Sequence, residues 1–148
     1  MNRNTISSLA LAVIILLMGA CNSDTWDDLP SAISQFVSEY FPFGELQSYT
    51  EEGGREIVQI KKGATLTFDN SYEWIDVNGN GVVLPQQFLY DKLPDALYRY
   101  IESIEAQNSV YRVQRTASVI TVDLFDSVLT YNQDTGEITY PAAQAKTA

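Results

Sequence analysis

The chain of 148 residues has no histidine and one cysteine, Cys21. Missing histidine removes the commonest general base and the commonest neutral metal ligand. A lone thiol has no disulfide partner and no second cysteine to share a metal. Cations are scarce, nine Lys and Arg against 19 Asp and Glu. Nucleic acid is therefore excluded as a main partner, because that affinity comes chiefly from cations neutralising phosphates. There is no glycine-rich phosphate loop. Carboxylates or a Ser with Lys remain as catalytic material, but Ser, Asp and Glu fall mostly in turns and on alternating polar positions. The expectation is a protein that is not an enzyme and needs no cofactor and no metal.

Long apolar runs are also short of what a membrane span requires. Leu9 to Met18 is about half of the roughly 20 residues needed to cross a bilayer, and with Arg3 before it and small residues after it the stretch 1–20 reads as a secretory signal. Its end, Leu17-Met18-Gly19-Ala20 followed by Cys21, resembles a bacterial lipobox, in which Leu17, Met18, Gly19 and Ala20 are read by the signal peptidase and Cys21 takes the lipid. Membrane attachment is expected through acyl chains on Cys21, each buried methylene contributing about 0.8 kcal/mol. Residues 21–28 then form an acidic tether. Ser23, Asp24, Asp27 and Asp28 also look like a surface-export signal of some Gram-negative anaerobes, interrupted here by Thr25-Trp26. The expected location is the outer membrane, as a lipoprotein facing the periplasm or the surface. After removal of 1–20 the charge is −11, from eight cations against 19 acids, which favours basic partners or plain solubility.

What the chain does have is an echo. Leu29-Pro30-Ser31-Ala32-Ile33 returns as Leu93-Pro94-Asp95-Ala96-Leu97, an offset of 64 (93 minus 29). Phe36, Val37 and Tyr40 are answered by Tyr100, Ile101 and Ile104. Leu46, Val58, Ile60 and Trp74 are answered by Val110, Val122, Leu124 and Ile138. Ile33, Phe36, Val37 and Tyr40 keep the spacing of one helical face, predicting a helix over 29–41 with Asp28 or Ser31 as its cap and Pro30 in the first turn. A second helix is predicted over 93–104.

Between and after the helices the period falls to two. Strands are predicted at 46–51, 56–61, 66–69 and 73–77, then at 110–115, 119–125, 128–131 and 137–140, joined by short turns that require antiparallel pairing. The expected fold is α+β: two helix-plus-four-strand repeats, 29–81 and 93–141, whose antiparallel sheet carries both helices on one face and leaves the other face open. Residues 82–92 read as a linker, too apolar at Val82-Val83-Leu84-Pro85 and Phe88-Leu89-Tyr90 to stay loose, and 142–148 as a tail.

Asp76-Val77-Asn78-Gly79-Asn80-Gly81 has the first half of a calcium loop, but the twelfth position is Gln87 and the ninth Leu84, so a plain Asn-Gly turn is expected. Aromatic side chains supply large contact area at modest entropic cost. Phe36, Tyr40, Phe68, Tyr100 and Tyr131 fall on inferred buried faces. Tyr72 and Trp74 sit at or beside a turn, and Tyr111 and Phe125 have the opposite parity from Val110 and Leu124. These four are the candidate partner-binding residues.

The two Leu-Pro helix openings, the alternating strands, Leu66-Thr67-Phe68-Asp69 and Trp74 together resemble the PepSY-like, β-lactamase-inhibitor-like lipoproteins, which carry tandem helix-plus-strands repeats. The likeness runs from Leu29 to Tyr140. It departs at Asn70-Ser71-Tyr72-Glu73, where the turn commonly carries glycine, and at Ile138, which stands where the first copy has Trp74. The resemblance implies a non-enzymatic envelope module that binds or restrains other proteins. The expected partner is a protein or peptide held on the open sheet face, with a small molecule or glycan as the alternative.

Overall fold

Among the described residues three α-helices each begin directly after a Leu-Pro pair: α1 (Ser31–Tyr40) after Leu29-Pro30, α2 (Gln86–Lys92) after Leu84-Pro85, and α3 (Asp95–Ser103) after Leu93-Pro94. The prolines hold φ between −50° and −57° with extended ψ and stand at the cap position, one step before the first turn. None of the three helix starts has a side-chain cap. The cap position of α1 is thus Pro30 and not the expected Asp28 or Ser31, and Ser31 is the first helical residue. The preceding leucines are buried and pin each helix start to the core instead. These relationships come from a computed structural model that describes residues 26–140. The signal segment with Leu17, Met18, Gly19 and Ala20, the lipidation candidate Cys21, the tether up to Thr25 and the tail lie outside the described residues.

Eight strands follow the helices in chain order: β1 (Leu46–Glu52), β2 (Arg55–Ile60), β3 (Thr65–Phe68), β4 (Trp74–Asn78), then after α2 and α3 come β5 (Val110–Arg115), β6 (Val119–Leu124), β7 (Val128–Asn132) and β8 (Ile138–Thr139). They pair antiparallel in that same order, a single eight-stranded open meander. The class is α+β. The β4–β5 junction is made by Asp76 opposite Gln114, Val77 opposite Val113 and Asn78 opposite Arg112.

Register in the β1–β2 and β5–β6 hairpins is related by the offset of the sequence echo. Leu46 pairs with Ile60 and Val110 with Leu124; Tyr49 pairs with Val58 and Val113 with Val122. In both hairpins one residue is left over at the start of the first strand, Gln47 in β1 and Tyr111 in β5, where the register shifts. A third bulge leaves Ile75 over in β4, so that Trp74 faces Phe68 while Asp76 faces Thr67. A bulge resets the alternation of side chains, which puts both Trp74 and Val77 on the core side although they are three residues apart.

The core lies between the helices and one face of the sheet. Ile33, Phe36, Val37 and Tyr40 of α1, Phe88 and Leu89 of α2, and Leu97 and Ile101 of α3 pack on Val58, Leu66, Phe68, Trp74, Val77, Val113, Ile120, Val122 and Leu129. Phe88 is the hub: its ring stands edge-on to Phe36 (5.9 Å), Tyr40 (5.7 Å) and Trp74 (5.3 Å). Within the segment 82–92, residues 86–92 form α2, and Leu84, Phe88 and Leu89 are buried. Seven residues are too few for a helix to persist alone, so α2 exists because Leu84, Phe88 and Leu89 are buried and because the Tyr40 hydroxyl donates to Asp91 (3.2 Å), which also accepts from Gln87. Tyr100 and Tyr131 flank the core half-buried.

Candidate functional site

The face of the sheet opposite the helices carries two cross-strand rows. One runs Thr50, Ile57, Thr67, Asp76, Gln114, Thr121, Thr130, Thr139 and includes every strand. The other runs Ser48, Gln59, Thr65, Asn78, Arg112, Asp123, Val128. Every residue of both rows is half-buried or exposed, and none of the described elements lies over them. Five threonines in the first row explain how this is stable: β-branched side chains fit the pleat while their hydroxyls stay wet.

Charge sits at the middle of this face. Arg112 Nε donates to Asp76 Oδ1 at 3.0 Å and Nη2 to Oδ2 at 2.6 Å, a two-pronged pair joined by Gln114 Nε2 at 3.3 Å. The hydrogen bond to Asp76 raises the Arg112 pKa further, against the opposing effect of burial. Asp123, the cross-strand partner of Arg112, has its pKa raised: partial burial outweighs the attraction of Arg112, and Asp76 adds to the rise. Asp76 thus has both oxygens occupied by Arg112, while Asn78 Oδ1 accepts the Asn80 amide and Asn80 Nδ2 donates to Gly63 and Thr65. With Asn80 at φ 53° and Gly81 at φ 88°, residues 78–81 form a tight turn held by these bonds. Among the described residues no three carboxylates or thiols gather as metal ligands.

The four aromatic candidates separate. Tyr111 and Phe125 come together, their rings parallel within 10° at 5.5 Å between centroids, with Phe125 56% exposed. Tyr111 is the bulge residue before Arg112, so this stack adjoins the charged centre. Tyr72 is 40% exposed in the β3–β4 turn at φ 63°, a left-handed conformation that costs a residue with a Cβ roughly 1–3 kcal/mol. Sixty-four residues on (136 minus 72), Gly136 takes the same conformation at φ 74°. Trp74 must be removed from the set. It is 4% exposed and packs on Phe88, because the Ile75 bulge turns it to the core. Sequence reading by strict alternation misses the bulge, and so also misses that Asp76, Arg112, Gln114 and Asp123 share one surface.

A separate cleft of about 280 Å³ opens at one end of the sheet, lined by Tyr40, Phe43, Ile60, Lys62, Val82 and Leu84 among others. It has a mostly apolar wall and no titratable cluster.

Three solved structures share this architecture. A protein of the DUF2874 family from Bacteroides vulgatus, described as periplasmic, superposes with a TM-score of 0.66 at 17% identity, covering 80% of this chain and 94% of its own. A second periplasmic protein of unknown function from the same organism gives 0.64 at 15%, covering 80% and 95%. A protein from Bacteroides thetaiotaomicron, described as a candidate calcium-regulated periplasmic protein, gives 0.66 at 16%, covering 80% and 94%. At such identities the likeness is one of fold. No family model and no curated protein matches the sequence.

Proposed function

We propose that the chain is a lipid-anchored module of the cell envelope that holds a protein or peptide partner on the open face of its sheet and carries out no chemistry itself. The observation that carries this reading is the uncovered face, with the Arg112–Asp76 pair at its centre and the Tyr111–Phe125 stack beside it. Polar centres flanked by an exposed aromatic are what protein contacts use for specificity and affinity. The periplasmic descriptions of the structural neighbours and the lipobox-like run ending at Cys21 support an envelope location, with the outer membrane as the anchoring surface.

The domain is proposed to be a duplicated helix-plus-four-strand unit distantly akin to the PepSY-like, β-lactamase-inhibitor-like lipoproteins. The shared offset of sequence echo, hairpin register and strand-start bulge supports the duplication, because independent hairpins have no reason to place a bulge at the same step. Calcium control, described for one neighbour, is not carried over, since Asp76 is committed to Arg112.

The test is capture from solubilised envelopes with folded wild-type bait beside Arg112→Glu and Phe125→Ser. A partner retained by wild type, lost by both variants and cross-linked at Thr121 or Thr130 is expected. Equal capture by all three, or none above background, counts against the face. The exposed Phe125 ring also suits the apolar face of a sugar. Oligosaccharides that shift Tyr111 and Phe125 resonances would favour that second reading.

A further inference from the structure

We propose that the end of the sheet bearing Phe43 and Val82 rests on the lipid bilayer, with both side chains inserted among the lipids. This rests on the lipid-anchor reading of Cys21 and adds the orientation of the domain to it.

Phe43 is 99% exposed and Val82 63% exposed, and both line the mouth of the apolar cleft. Their display is built into the loops. A Cβ on Gly44 would come within 2.9 Å of Ile60 Cγ2 and 3.2 Å of the Phe41 carbonyl oxygen, so a larger residue there would have to displace the Ile60 side chain beneath the loop that carries Phe43. A Cβ on Gly79 would collide with the Val82 carbonyl oxygen, so glycine is equally required for the turn that presents Val82. Both tightly packed loops thus present an apolar side chain to water. Phe43 is the most exposed large apolar side chain among the described residues, and Val82, Phe125 and Val128 are exposed at the same end of the sheet.

The chain's own path identifies what covers them. The Trp26 indole Nε1 donates to the Gly44 carbonyl at 3.0 Å, which fixes the start of the described chain beside Phe43. From there only five residues, Cys21 to Thr25, lead back to the acylated position. Fully extended, they reach about 17 Å. The Phe43 end is therefore the part of the domain that the anchor holds against the membrane. Lys61 and Lys62 lie at the adjoining β2–β3 turn, Lys61 paired with Glu45 at 3.3 Å and Lys62 on the cleft rim. Long cationic side chains beside an apolar tip suit the headgroup level of a bilayer. Phe125 and Val128 are exposed at the same strand ends, near the β6–β7 turn.

The test uses the mature chain from Cys21 with its thiol coupled to a maleimide lipid in phosphatidylcholine vesicles, so that anchoring does not depend on natural acylation. Phe43→Trp and Val82→Trp are compared with Ala117→Trp at the opposite strand ends, each against the parent with Trp26 and Trp74. Lipids brominated in the upper acyl chain should quench the added fluorescence about two-fold at 43 and 82 and leave that at 117 nearly unchanged. Equal quenching at all three sites, or none at 43, overturns the proposal. The mass of the chain purified from cells reads Cys21 acylation separately. Absence of acyl groups there would defeat the anchor reading while leaving the vesicle result to judge the surface.

Discussion

The guanidinium of Arg115 lies over the indole of Trp74, 4.5 Å from its centroid, on a ring that is otherwise packed in the core. Arg115 also reaches Glu73 at 3.5 Å. A cation over an aromatic face is worth about 1 kcal/mol when partly desolvated. Arg115→Ala should lower stability by about that amount in urea titration and red-shift the emission of Trp74, while Arg115→Lys should lose less.

Tyr72 holds a left-handed conformation that the equivalent position fills with Gly136. Tyr72→Gly removes the strain and adds some entropy to the unfolded chain, so the net expectation is a gain of about 0.5–1 kcal/mol. A loss of stability in thermal melts would mean that the ring, although 40% exposed, contributes more through packing than its backbone costs.

Phe88 is fully buried among three aromatic rings. Phe88→Ala should cost about 3–5 kcal/mol. Because α2 has no other deep anchor than Leu89 and Leu84, hydrogen exchange in 86–92 should accelerate more than in β6 or β7.

Glu56 is the charged side chain buried at 7% exposure, and the Tyr49 hydroxyl donates to its Oε2 at 2.6 Å. Tyr49→Phe leaves that carboxylate without this donor. The expected cost is about 1–3 kcal/mol, read in chemical denaturation at neutral pH.

Asp123 has a pKa raised chiefly by burial, so the native state binds its proton more tightly than the unfolded chain does. Its contribution is fully present below the unfolded pKa and is lost as pH rises through the folded one. Asp123→Asn should therefore be more stable than wild type at neutral pH, with the gap closing as pH falls through the carboxylate range. A gap that widens in acid would show that attraction to Arg112 outweighs burial.

Much of the architecture was legible because it is written in period. The 3.6-residue spacing of Ile33, Phe36, Val37 and Tyr40 located α1, and alternation located the strands to within a residue or two, Val110–Arg115 among them. α2 was not found, although Leu84-Pro85 ahead of Phe88-Leu89 repeats the signal that opens the other two helices. A helix of seven residues shows too little of its period to be told from a loop. The candidate site was legible only in part. Tyr111 and Phe125 were singled out by parity, whereas Trp74 was singled out for lying beside a turn, and the surplus residue Ile75, which lets both Trp74 and Val77 face the core, could not be seen in the sequence.

By itself, then, the sequence determined which residues are apolar, at what spacing, and where Gly and Pro interrupt them. That sets an α+β class with an antiparallel sheet, since local periodicity is a property of neighbouring residues along one strand or helix. Only the tertiary structure decided where the bulges fall, which strand ends meet, and hence that Asp76 grips Arg112 from 36 residues away while Phe43 is left outside. Those outcomes depend on cross-strand register and on close approaches such as Gly44 to Ile60 and Gly79 to Tyr111, which are relations between distant segments and have no signature in the order of residues alone.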